Sequence, residues 1–290
     1  MSNIRVNQIR LEYDTFGEPG KKALILIQGL VTQMIGWPEP FCRMLAKAGF
    51  YVVRFDNRDT GLSTKMEQFG QPDIDAITRH VMAGRTVKPP YTLQHMAEDT
   101  IGLMDALGID KASICGVSMG GMIAQIMAMN YPERLSGLIS LQSSTGELDL
   151  PQMTPAAMKA MMSVPPMDRE GYIEHMVGIF RVFAGGSKAF DEDLQRDICA
   201  RAYDRSFYPM GFLRQMSALV TAAGRRSALG RVTAPTLVMH GDCDPVVPLA
   251  HGRDSAAAIP GAKLLIIRGM GHGMAFPDLW RDMVDAIAAL

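Results

Sequence analysis

Cysteine is scarce in this chain. Its 290 residues include four, Cys42, Cys115, Cys199 and Cys243, with no C-x-x-C spacing among them. That pattern excludes a disulfide framework and a cysteine-type zinc site, and it reads as reduced thiols. An excess of one charge is lacking too: 29 lysines and arginines balance 30 aspartates and glutamates. A net charge of −1 offers no electrostatic footprint for nucleic acid or an anionic membrane surface. No run approaches the ~20 apolar residues that a spanning helix needs. The six histidines show no H-E-x-x-H or similar pairing, so no metal is expected, and no other cofactor. The start, Met1-Ser2-Asn3-Ile4-Arg5, lacks the charged-then-apolar order of a secretory leader. These absences predict a cytoplasmic protein with neither nucleic acid nor membrane as partner. They leave a homo-oligomer open.

What the chain does have is alternation. Residues 4–14 read as one or two edge strands. Ala23 to Gln28 is a continuous apolar run, as in a strand buried on both faces. A helix over 39–48 precedes the strand Tyr51–Phe55, and a helix over 93–107 precedes the strand at Ala112–Cys115. Leu138–Leu141, Pro235–Met239 and Lys263–Ile267 are further strands, and a helix from Pro277 to Leu290 closes the chain. Repeated β-α units imply an α/β fold with a mainly parallel central sheet flanked by helices. Residues 147–227 break the rhythm. They are rich in helix formers and methionine and hold no strong strand run. The expected organisation is a core of 1–146 and 228–290, with 147–227 as a helical cap inserted between two sheet strands. Its methionines either line an adaptable apolar pocket or simply pack the cap onto the core.

The chemistry starts at Gly116-Val117-Ser118-Met119-Gly120. A bare G-x-S-x-G is a weak signal, because glycine and serine also make ordinary turns. Here an apolar strand precedes it. A helix follows, with Met119, Met122, Ile123, Ile126 and Met127 on one face, and stops at Pro132. Strand, sharp turn and helix are the context of a nucleophile elbow. Gly116 and Gly120 stand where larger side chains would crowd the turn.

A serine nucleophile needs a base, and the base needs an orienting acid. His272, in Gly269-Met270-Gly271-His272-Gly273, lies in a glycine-rich loop after a strand, at the end of the sheet where such folds place chemistry. His240 reads as packed in the sheet, His251 as helical, and His80, His95 and His175 lack the strand-end context. Two acids compete in His240-Gly241-Asp242-Cys243-Asp244-Pro245. Asp244 is preferred, since Pro245 holds its backbone extended toward the neighbouring loop. Asp242 fits a local backbone bond within the turn. The stretch Gln142-Ser143-Ser144-Thr145, another place for an acid, carries no carboxylate. An oxyanion hole would draw on the backbone N–H groups of Met119 and Leu30, with Gly29 allowing close approach.

The order Ser118, Asp244, His272 resembles that of the α/β-hydrolase superfamily, and the likeness spans nearly the whole chain. Phe55-Asp56-Asn57-Arg58-Asp59-Thr60-Gly61-Leu62-Ser63 is similar to its D-x-R-G-x-G-x-S loop, and Tyr131-Pro132-Glu133-Arg134-Leu135 to its familiar helix end. With Gly36-Trp37-Pro38, the R-D-T-G form resembles the aclacinomycin methylesterase-type branch of carboxylesterases. That resemblance implies a serine hydrolase that cleaves a small-molecule carboxylic ester through an acyl-serine intermediate. A C–C bond hydrolase, lactonase, thioesterase, aminopeptidase, acyltransferase or perhydrolase would share the triad, and a ligand-sensing receptor would share the pocket. Gln28-Gly29 departs from the His-Gly of many relatives. Arg58 and Asp59 read as structural. A histidine base must be neutral to accept a proton, so activity should fall as pH drops through roughly 6–7. A flat rate profile over that range, with chemistry rate-limiting, would contradict the assignment.

Overall fold

The apolar runs become one eight-stranded sheet, ordered β1-β2-β4-β3-β5-β6-β7-β8. The computed structural model describes residues 2–290. Strands β1 (Ser2–Val6) and β2 (Ile9–Phe16) form an antiparallel hairpin turning at Asn7, whose φ is 52°. Next come β3 (Lys22–Ile27), α1 (Glu39–Lys47) and β4 (Phe50–Phe55). Strand β2 pairs antiparallel with β4, and every later pairing in the sheet is parallel. Helices α2 (Ile74–Met82) and α3 (Leu93–Ala106) lead to β5 (Ala112–Val117), α4 (Met119–Asn130) and β6 (Leu135–Leu141).

Period-two alternation divides the strand side chains between two cores. Leu24, Leu26, Val52, Cys115, Val117, Ile139 and Leu141 face one layer, which includes Phe41 and Leu45 of α1. Ile25, Ile27, Val53, Phe55, Ile114 and Leu138 face the other, with Met96 and Leu103 of α3 and Ile123 and Met127 of α4. Helices on both faces explain why β3 reads as an unbroken apolar run.

Five helices lie between β6 and β7: α5 (Pro155–Met161), α6 (Arg169–Phe183), α7 (Glu192–Arg205), α8 (Gly211–Val220) and α9 (Arg226–Leu229). Then β7 (Thr236–Gly241), α10 (Leu249–Ala258), β8 (Lys263–Ile267) and α11 (Trp280–Ala288) complete the chain. No helix is expected from the sequence at α2. That helix is short, and Ile74 is its one buried residue, so its apolar stripe is weak. The closing helix begins later than expected: Pro277–Leu279 is a 3₁₀ turn and α11 starts at Trp280. Among the described residues no helix is long and apolar enough to cross a membrane.

The inserted helices are fastened to the core by buried charge. Arg214 of α8 forks onto Asp59, Nη2 to Oδ1 at 2.8 Å and Nε to Oδ2 at 2.9 Å. Tyr91 Oη and the Met66 N–H also donate to Asp59, at 2.7 and 2.8 Å. Arg58 forks onto Asp99 in the same way, at 2.7 and 2.8 Å. Both loop residues are therefore engaged in ion pairs. Arg214→Met would strand the Asp59 charge away from water. The expected cost is about 3–5 kcal/mol by chemical denaturation. A loss below about 1 kcal/mol would mean that water reaches Asp59.

Candidate active site

Val117 ends β5, and the chain reverses at Ser118 with φ 56° and ψ −122°, an uncommon conformation for a residue with a side chain. Helix α4 starts on the next residue. Absent side chains make the reversal feasible. A Cβ on Gly116 would collide with the Gly120 carbonyl, and one on Gly120 would collide with the Ile27 carbonyl. Backbone cannot yield there, so both positions need glycine. The Ser118 N–H donates to Leu141 O at 2.9 Å, and Ser143 Oγ donates to Ser118 O at 2.7 Å. The end of β6 thus grips both sides of the serine.

The loop after β3 approaches from the other side. A Cβ on Gly29 would lie 3.2 Å from Ser118 Cβ and 3.7 Å from its Oγ. The Gly29 N–H donates to Gln28 Oε1 at 3.0 Å, and the Val31 N–H to Gln215 Oε1 at 2.6 Å. Between them, the Leu30 N–H has no partner among the described residues. The Met119 N–H opens α4, where no intrahelical acceptor exists. Gln28, where many relatives carry histidine, folds back on its own loop. Gln215 was not foreseen. It reaches from α8, accepts from Val31, and donates to Arg58 O at 2.7 Å and Thr60 Oγ1 at 2.8 Å. Val31 has φ 45°, costly for a β-branched residue, and this bond helps to hold it there. A glutamine 184 positions away leaves no local trace in the sequence.

Asp244 and His272 meet directly, Oδ2 to Nδ1 at 2.7 Å, both buried. Asp244 Oδ1 accepts from the Val246 and Val247 N–H groups at 2.9 and 2.8 Å, which fixes the carboxylate plane. Asp242 accepts from the Gly269 N–H at 2.7 Å and serves the turn. Among the described residues no hydrogen bond joins Ser118 Oγ to His272. Such bonds are commonly long without substrate and tighten in the reacting complex.

Helices α5 and α6 give His272 an apolar wall. The His272 N–H donates to Phe183 O at 2.8 Å, and the two rings meet edge to face at 6.1 Å and 88°. Phe183 packs with Ala157, Val246, Met153, Met161 and Phe180. The methionines of this segment divide in use. Met153 and Met161 join that wall, Met216 is buried, and Met158, Met162 and Met167 face solvent.

Four of the five other histidines have evident partners. His95 joins the capping box of α3 with Thr92. His251 contacts Ser144 Oγ and Pro151 O, both at 2.8 Å, and His175 contacts Ser163 Oγ at 3.0 Å. His240 is fully buried in β7, with Nε2 2.7 Å from Val247 O and Nδ1 unpartnered. Burial lowers its pKa, outweighing the Val247 carbonyl and Asp244, while His272 and His251 add to the lowering. Among the described residues no group of His, Cys, Asp and Glu side chains could hold a metal ion.

Comparison with known proteins gives the same outline. The model of the alpha/beta hydrolase fold family matches residues 22–178, and that of TAP-like proteins matches 218–279. The rhodomycin D methylesterase of Streptomyces peucetius is 28% identical, over 92% of this chain and 90% of its own. A poly(3-hydroxyalkanoate) depolymerase of Ectopseudomonas oleovorans is 31% identical over 68% of each chain. Among solved structures, a 2-hydroxy-6-oxo-6-phenylhexa-2,4-dienoate hydrolase from Rhodococcus sp. aligns with TM-score 0.75 at 20% identity, covering 99% of this chain and 96% of its own. The enol-lactonase of Burkholderia xenovorans aligns with TM-score 0.68 at 23% identity, covering 99% and 97%.

The state of His240 sets a pH dependence for stability. Its pKa is lowered in the folded chain, so below about 6.5 the unfolded chain binds a proton that the folded one refuses. The melting temperature should therefore fall as pH drops below that value, down to the folded pKa. His240→Gln should flatten this part of the profile. An unchanged slope in the variant would assign it to other groups.

Proposed function

The chain belongs to the alpha/beta hydrolase fold family, and on that basis we propose that it hydrolyses carboxylic esters through an acyl-serine intermediate on Ser118. The observation that carries this reading is the buried hydrogen bond from His272 Nδ1 to Asp244. With Nδ1–H held by the carboxylate, Nε2 is left as the acceptor for a proton. His272 takes the Ser118 proton as Oγ attacks the ester carbonyl. Asp244 stabilises the imidazolium that forms. The Leu30 and Met119 N–H groups receive the oxyanion, and Gly29, Gly116 and Gly120 keep the space clear. His272 then protonates the departing alkoxide. Water, activated by the same histidine, attacks the acyl-enzyme and releases the acid.

The proposed division of labour uses the boundaries expected from the sequence. In this reading residues 1–146 and 228–290 are the core that carries the triad and oxyanion donors, and 147–227 are the cap; the packing of Phe183 and Phe180 beside His272 supports a cap that walls the histidine side. An apolar wall suits a small or medium uncharged acyl ester. The methylesterase relatives, aligned over nine-tenths of the chain, support an ester as substrate. The protein works in the cytoplasm in this reading, which its four free thiols support.

Hydrolysis of p-nitrophenyl esters of increasing acyl length tests the proposal. Wild type should turn over, with an optimum that sizes the acyl site, and Ser118→Ala should fall to background. Asp244→Asn should lower kcat by about a thousand- to ten-thousand-fold, because the wrong histidine tautomer is then favoured. Wild-type turnover no better than Ser118→Ala would overturn the esterase reading and favour a C–C hydrolase, acyltransferase or sensing role for the same site.

A further inference from the structure

Glycine surrounds the proposed base. Gly269 has φ 74° and Gly273 φ 123°, and a Cβ on Gly271 would run into the Ala184 backbone. Such a loop has little stiffness of its own. A general base must nonetheless be held to a fraction of an ångström. Something outside the loop must supply the rigidity.

We propose that Gln142 is the positioning residue that sets His272 relative to Ser118; the inference rests on the triad reading above. Gln142 Nε2 donates to Gly271 O at 2.6 Å, and Gln142 Oε1 accepts from the Gly273 N–H at 2.9 Å. One carboxamide therefore holds the peptide on each side of His272. The His272 N–H bond to Phe183 O anchors the first of those peptides a second time. Fixing both flanking peptide planes fixes φ and ψ of His272, and with them the direction of its Cα–Cβ bond. Asp244 then sets the ring.

The residues on either side of Gln142 hold the serine. Leu141 O accepts from the Ser118 N–H, and Ser143 Oγ donates to Ser118 O. Leu141-Gln142-Ser143 is thus a short bracket with the nucleophile on two of its residues and the base on the third. Gln142 is fully buried and has φ 48°, outside the usual range for a residue with a side chain. Its N–H is tied to Met239 O at 2.9 Å, which roots the bracket in β7.

The chemistry of the bracket is selective. It needs one donor and one acceptor on a neutral group at glutamine's reach. Asparagine is one methylene short. An ionised glutamate would turn an acceptor onto the Gly271 carbonyl. A protonated glutamate, by contrast, reproduces the pattern, since its O–H can donate and its C=O can accept. Burial favours that neutral form.

The test compares Gln142→Met, Gln142→Glu and Ser118→Ala with wild type on p-nitrophenyl butyrate. Active sites are titrated with a fluorophosphonate, and pH is varied. Gln142→Met should lower kcat per titrated site by about 10- to 100-fold, with KM changed less than threefold. Gln142→Glu should recover most of that kcat at the acidic end of the working range. It should then lose it as pH rises, giving an alkaline limb that wild type lacks. A purely structural role would lower the melting temperature or the titrated fraction and leave kcat per site and the pH profile as in wild type. That result in both variants would overturn the proposal. If Gln142→Met fails to fold, the alkaline limb of Gln142→Glu decides alone. If Ser118→Ala keeps wild-type turnover, the triad reading itself falls and takes this inference with it. A dead Ser118→Ala with unaffected Gln142 variants removes only the bracket.

Discussion

Steric clearance at the turn after β5 is the constraint on which the site depends. Ser118 occupies a backbone conformation that costs energy, and it persists because its surroundings leave no alternative. Gly116, Gly120 and Gly29 let three backbone segments meet around it without side chains between them. Once that packing is in place, other features follow. The serine hydroxyl stands clear of the sheet. Helix α4 opens on the next residue, and the loop after β3 runs close enough that a Cβ on Gly29 would lie 3.7 Å from the serine oxygen. The parallel order of β3, β5 and β6 makes this convergence possible, because their carboxyl ends lie side by side.

A second layer of order comes from buried polar contacts over long sequence separations. Asp59 with Arg214, and Gln215 with Val31, tie α8 to the loop after β4 and to the loop after β3 that borders the serine. Gln33 extends the tie by donating to Ala202 O and Ser206 O, at 2.7 and 2.9 Å. The loop after β3 is consequently as much a product of the inserted helices as of β3. The same helices supply the phenylalanine wall beside His272. Movement of this segment relative to the core would therefore be felt at both ends of the proposed site.

Electrostatics explains why most of these contacts lie hidden. A buried ionised side chain is tolerable when paired and hydrogen-bonded. Asp59 meets that condition with four donors: two guanidinium nitrogens, a phenol and a backbone amide. His240 meets it differently. It stays neutral at the core of β7, bonded through one nitrogen, although Asp244 Oδ2 is 3.8 Å away. Two histidines thus approach one carboxylate, and His240 Nε2 is already taken by the Val247 carbonyl. The short bond goes to His272.

Local pattern determined what local physics controls. Continuous apolar runs fixed the central strands, because a strand covered on both faces must be apolar throughout. The glycine spacing about Ser118 announced its turn, because backbone collisions at those positions are short-range. Asp244 and His272 were legible from their places after β7 and β8, since parallel topology sends strand ends to one edge. Helix α2 was not legible, because an exposed helix with a single buried residue writes almost no periodicity. Gln142, Ser143 and Gln215 were invisible for a different reason. The stretch from 142 to 145 was noticed for the carboxylate it lacks, and its positioning role depends on partners that arrive from 25 to 131 residues away. The sequence by itself therefore determined the fold and the candidate nucleophile, acid and base. Tertiary structure alone decided what holds them in register, because hydrogen bonds between distant segments depend on relative position in space, and no short-range pattern encodes that.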